Sequence, residues 1–98
     1  MNERNRDALG HQQITSLSSA VAFTSIPVGS DTVLVQCQTQ NVRYRDDGTD
    51  PTATVGIILV ALTVYEFTVA QFARMKFIEA TASAALNVAF YGTRQYSA

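Results

Sequence analysis

Arg43, Arg45, Asp46, Asp47 and Asp50 fall within a single short stretch, and this crowding of opposite charge allows three kinds of chemistry. Oxygens can ligate a cation, paired carboxylates can trade a proton, or both signs can bond to a protein neighbour. A calcium loop needs a ladder of ligands closed by a bidentate Glu, and none follows here. Adjacent aspartates on extended chain point to opposite sides, which disfavours a paired acid and base. Asp46-Asp47-Gly48 is ordinary turn chemistry. Solvated arginines on an exposed strand are the default, and the same residues could instead form charge-assisted bonds to a neighbouring protein, where both signs in one patch favour registered contact. Arg4 and Arg6, near the start of the chain, join it as candidate interface residues.

The remaining reactive side chains point away from catalysis. His11 is the sole histidine and lies in a polar stretch that offers it no orienting carboxylate or second metal ligand. Cys37 is the sole cysteine and alternates with Val33 and Val35, so it is expected to pack as a small hydrophobe. A single cysteine excludes an internal disulfide and every multi-cysteine zinc framework. The chain carries no glycine-rich phosphate loop, nucleophile elbow or metal-binding histidine pair. The expectation is a non-enzymatic protein without cofactor or metal. Arg43-Tyr44-Arg45 could offer a stacking surface for nucleotides, but a two-residue period turns Tyr44 inward.

Strands must position the charged patch. Thr32 to Thr39 sets Val33, Val35 and Cys37 on one face and Gln36 and Gln38 on the other. Val42 to Arg45 repeats the pattern, with Val42 and Tyr44 inward and both arginines outward. The run from Thr54 through Val60 is continuously apolar and reads as a strand covered on both sides. Ile14 to Leu17, Ala20 to Ile26, Val64 to Phe67, Met75 to Glu79 and a last strand from Leu86 to about Gly92 complete the set. Pro27-Val28-Gly29 suits a tight reversal. Between Leu62 and Leu86 some spacing also fits a helix, but the β-branched and aromatic content of Thr63 to Val69 favours strands. Seven or eight short strands predict an all-β antiparallel sandwich, jelly-roll-like or immunoglobulin-like, over residues 13–98. Residues 1–12 are nearly devoid of apolar side chains and are expected to form a flexible arm.

Composition sets the outer bounds. Ninety-eight residues with 47% hydrophobic content fit one core. A net charge of −1 provides no field that draws the molecule to nucleic acid or anionic lipid. The polar first residues do not resemble a signal peptide, and the apolar run from Val55 to Tyr65 is too short for a membrane helix. Tyr65, Phe67, Phe72, Phe77, Phe90, Tyr91 and Tyr96 are either one core or a core plus an intersubunit contact.

Gln40-Asn41-Val42-Arg43-Tyr44-Arg45-Asp46-Asp47-Gly48, with Pro51-Thr52-Ala53-Thr54-Val55-Gly56 and Ala82-Ser83-Ala84-Ala85-Leu86-Asn87-Val88, resembles small β-rich structural proteins of tailed bacteriophage virions. The resemblance covers about Gln13 to Tyr91. It implies a capsid decoration or cement subunit on the phage head surface, made in the host cytoplasm. Its partners would be the major capsid protein and other copies of itself, with a trimer favoured. A tail or head-to-tail junction protein and a carbohydrate-binding module of a virion fibre are the rival expectations.

Overall fold

The chain pairs with itself from its two ends inward, as a long hairpin rolled across two layers. The computed structural model describes residues 6–68 and 72–93. In chain order the strands are β1 (Arg6–Ile14), β2 (Thr32–Cys37), β3 (Val42–Arg45), β4 (Ile57–Leu59), β5 (Val64–Phe67), β6 (Lys76–Glu79) and β7 (Leu86–Thr93). β1 pairs with β7, an isolated bridge at Val21 pairs with Phe77 in β6, β2 pairs with β5, and β3 pairs with β4, all antiparallel. Contacts of β2 with β7 and of β3 with β6 close two sheets, ordered β1-β7-β2-β5 and β4-β3-β6. With Val21 standing in for an eighth strand, this nesting is the jelly-roll arrangement rather than the immunoglobulin one. The all-β sandwich expected from the sequence is therefore present.

Alternation drives the packing. Val33, Val35 and Cys37 of β2 and Leu86, Val88 and Phe90 of β7 are buried on the inner face of the larger sheet. They meet Val42, Leu59 and Phe77 from the smaller sheet, with Leu17, Met75 and Ala84 closing the ends. Phe23 spans the layers, its ring 5.1 Å from Phe77 and 5.1 Å from Phe90. Tyr44 does point inward, its ring 5.0 Å from Phe67. Cys37 is buried, and its thiol donates to the Leu59 carbonyl at 3.4 Å.

Residues 6 to 26 depart from expectation. Residues 6–12 are not a free arm: they form most of β1, in register with β7 from Arg6 opposite Thr93 to Ile14 opposite Leu86, with an irregularity between Ala8 and Gly10. An edge strand with one wet face satisfies its backbone through its neighbour and needs few apolar side chains, so composition misread it. Gln12 anchors it, donating from Nε2 to the Ser25 carbonyl and accepting from the Thr24 amide. Ala20 to Ile26 supplies a single bridge at Val21 instead of a strand. Pro27 to Ser30 does turn, with the Ser30 amide donating to the Pro27 carbonyl at 3.1 Å and Gly29 at φ 91°. From Leu62 to Leu86 the described chain is strand and loop, with one 3-10 turn at Phe72–Arg74.

Candidate protein interface

The charged loop between β3 and β4 is folded onto itself. Arg43, half-buried on the outer face of β3, donates from Nε to the Ala53 carbonyl at 2.9 Å and from Nη1 to the Gly56 carbonyl at 2.8 Å. Arg45 forms a two-pronged pair with Asp47, Nε to Oδ1 at 3.2 Å and Nη2 to Oδ2 at 2.5 Å. The Asp47 Oδ1 also accepts the Thr49 amide at 3.1 Å, and the Asp47 carbonyl accepts Arg74 Nη2 at 2.8 Å. Lys76 donates to Asp50 Oδ1 at 2.9 Å. Four of the chain's seven basic residues thus converge on this loop.

The register explains why both aspartates are needed. Arg45 lies opposite Lys76 across β3 and β6, a like-charge pair that destabilises a sheet. Asp47 answers one cation and Asp50 the other. Bonding to Arg45, helped by the Thr49 amide, lowers the Asp47 carboxyl to about 2 and raises the Arg45 guanidinium. Asp46 remains exposed, and its charge adds to burial in raising the Tyr44 hydroxyl. At the return of the loop, Thr52 and Val55 exchange backbone bonds at 2.9 and 3.2 Å. Gly56 then enters β4 at φ 139°, where a Cβ would sit 3.2 Å from Arg43 Cβ, Pro51 Cβ and the Tyr44 carbonyl oxygen. Only glycine fits that passage.

Of the residues proposed for contact, Arg43 and Arg45 on β3 meet Asp46, Asp47 and Asp50 of the loop that follows in one patch, and all but Asp46 make the bonds described. Arg4 lies outside the described residues, and Arg6 is placed by its backbone at the start of β1. His11 is exposed on the outer face of β1, opposite Ala89. Beside it Gln13, Gln38 and Asn87 form a polar ladder with bonds of 3.0 to 3.3 Å. Burial pushes the Cys37 thiol up, opposed by a bond from the Val42 backbone. Among the described residues, no group of three or more His, Cys, Asp or Glu side chains could hold a metal ion, and no helix is long and apolar enough to cross a membrane.

A second surface was hidden by its own composition. β4 is an edge strand, paired only with β3, and the run from Val55 is not covered on both sides as its apolar character implied. Ile57 is 61% exposed, Val60 50% and Leu62 71%, with Val55, Ile58 and Val64 exposed beside them. Leu59 alone of the β4 residues is buried. A four-residue turn joins β4 to β5, with the Thr63 amide donating to the Val60 carbonyl at 3.3 Å, so both edge strands line one flank of the sandwich. Leu62 occupies this turn at φ 69°, a conformation that a bulky side chain rarely takes. Its amide donates to the Cys37 carbonyl at 2.8 Å. A continuous apolar run looks the same in sequence whether its cover is the chain's own core or another molecule.

On the opposite flank β1 is likewise an edge strand, but β6 is covered. There the chain from Leu17 to Val21 bonds along β6, Val21 exchanging backbone bonds with Phe77 and the Leu17 carbonyl accepting the Glu79 amide at 2.9 Å. The expected aromatic surplus is not the exposed surface: Phe77 and Phe90 are buried, and Tyr65, Phe67 and Tyr91 are half-buried. Phe72 is described by its backbone alone, and Tyr96 lies outside the described residues. No protein-family model, curated protein or solved structure matches this chain.

Proposed function

We propose that the chain is a structural protein of a tailed-bacteriophage virion, a capsid decoration or cement subunit that associates with copies of itself and joins neighbouring major capsid proteins. The observation that carries this reading is a small jelly-roll sandwich whose β6 edge is covered by its own chain at Val21 while the β4 edge and the turn after it lie open, uncharged and apolar from Val55 to Tyr65. Such a flank suits contact with protein. Jelly rolls recur in viral capsid and lectin domains, a fold-level analogy that agrees with the resemblance carried by Gln40 to Gly48, Pro51 to Gly56 and Ala82 to Val88. Cementing needs many modest contacts repeated by symmetry, so a weak single contact suffices once several engage together.

In this reading the charged loop acts as a rigid presented edge. Its bonds are made before any partner arrives, so little ordering entropy is lost on contact. Asp46 and the second carboxylate oxygen of Asp50 then set register against a partner's charges. Residue-resolution imaging of intact particles that carry the chain tests the reading. Density in many copies across the shell supports cementing. A single ring at the portal or along the tail makes it a junction or tail protein instead. Density only at fibre tips, with glycan bound, moves it to carbohydrate recognition, and absence from the particle overturns the proposal.

A further inference from the structure

We infer that β1 is an exchangeable strand: the edge of β7 that Arg6–Ile14 covers also receives the same strand from a second copy, so that two chains trade β1 and each completes the other's larger sheet. This contact is separate from the β4 flank and concerns the isolated chain, so it stands or falls independently of the virion reading.

The seat beside β7 is cut to one sequence. Leu9 is the extra residue where the register slips between Ala8 and Gly10, and its side chain lies so near Gly92 that a Cβ there would come 3.0 Å from it. Gly10 passes close to Pro27, whose Cγ would stand 3.1 Å from an added Cβ. Gln12 uses both ends of its amide, on the Ser25 carbonyl and the Thr24 amide, and Gln13 donates to Gln38 at 3.0 Å and to Asn87 at 3.1 Å. A foreign strand would need a bulge, a glycine and two adjacent amides at these same places. β1 meets all of these demands, whether it comes from the same chain or from another copy, and this fixes the occupant.

The strand is lightly held. From residue 7 to residue 14 only the Ile14 side chain is buried, and the others are exposed or half-buried. Such a strand rests on its backbone ladder and a few amide bonds, and it opens without unfolding the whole domain. When it leaves, the core keeps Val33, Val35, Leu86, Val88 and Phe90 and loses Ile14 alone.

The link to the body decides where the strand returns. Ile14 lies opposite Leu86 on the larger sheet, while the Leu17 carbonyl already accepts the Glu79 amide at 2.9 Å on the smaller one. The chain therefore changes layers through Thr15 and Ser16, both exposed. A link this short is confined in the closed chain, and straightening it sends β1 away from its own β7; short hinges favour exchange for this reason. Exchange re-forms every bond of β1 in the partner, so the closed and exchanged forms differ only in the link and in association itself.

Gln13 and Asn87 face each other across β1 and β7 and supply the test. Gln13→Cys chains are mixed with Asn87→Cys chains, incubated at high concentration and oxidised, and the linkage is read by mass spectrometry after proteolysis. The expected product joins position 13 of one copy to position 87 of the other, because facing residues of antiparallel strands come within disulfide reach. Circular dichroism and thermal melting that match the parent show that both variants fold. A chain with both substitutions, oxidised at low concentration, pins β1 to its own β7 and should lose the exchanged dimer in sedimentation velocity. Glycines inserted between Thr15 and Ser16 should shift the chain to the closed monomer. Ile57→Lys, which sets a charge on the β4 flank, should leave the link between positions 13 and 87 in place. Absence of that link between different chains at every concentration, or a link that a longer hinge leaves undiminished, would overturn the inference.

Discussion

The loop from Asp46 to Gly56 and the flank from Ile57 to Val64 follow one another directly in the chain and have opposite economies of contact. The loop is dense in charge, yet Arg43, Arg45, Arg74 and Lys76 already spend their donors on its carboxylates and carbonyls. The flank carries no charge before Glu66, and its apolar side chains and outer strand edge face water. Charge density shows where polar bonds are made; uncovered apolar surface on an edge strand is left without such bonds. The two depend on each other. Arg43 holds the carbonyl of Gly56, the residue through which the loop passes into β4.

Substitutions that treat the two regions differently sharpen this contrast. The largest effect is expected from Phe77→Ala, which empties the point where Phe23 and Tyr44 meet and should cost about 3–5 kcal/mol in denaturant unfolding. Loop and flank should be lost in one transition, and separate transitions would break the view that a single core supports both. Arg43→Ala removes two charge-assisted bonds and should cost roughly 1–3 kcal/mol, with faster proteolytic cutting between Asp46 and Gly56. Its self-association should weaken less than that of Ile57→Lys, because the strip itself is untouched.

Leu62→Gly separates stability from contact. Relief of the left-handed backbone should raise monomer stability by up to about 1 kcal/mol, while loss of the exposed side chain weakens self-association. A variant that loses stability and keeps self-association would show that Leu62 serves the fold alone. The smallest effect comes from acid. The folded Asp47 carboxyl lies at about 2, below its ordinary 3.8, so its contribution to stability is present above pH ~3.8 and is lost as pH falls towards 2. NMR titration of the Asp47 carboxyl and the Thr49 amide should follow that window, and Arg45→Gln should return the carboxyl towards its ordinary value.

Much of the fold was legible because alternation is a local signal. Val33, Val35 and Cys37 faced inward as their spacing implied, and Val42 and Tyr44 did the same beside outward arginines. β1 was not legible, since its backbone is satisfied by β7, some eighty residues later, and its polar side chains resemble those of a free tail. The internal use of Arg43 was equally hidden, because its acceptors are carbonyls, which every residue possesses. The exposure of β4 had no sequence signal of its own: Ile57, Ile58 and Leu59 are as apolar as any core strand, and only the strand order leaves two of them outside.

Amide hydrogen exchange at low and high protein concentration tests the central claim most directly. Backbone amides along Ile57–Leu59 should gain protection as concentration rises, while Thr49 in the neighbouring loop exchanges at an unchanged rate. Protection that appears in the charged loop but not along β4, or no dependence on concentration anywhere, would contradict it.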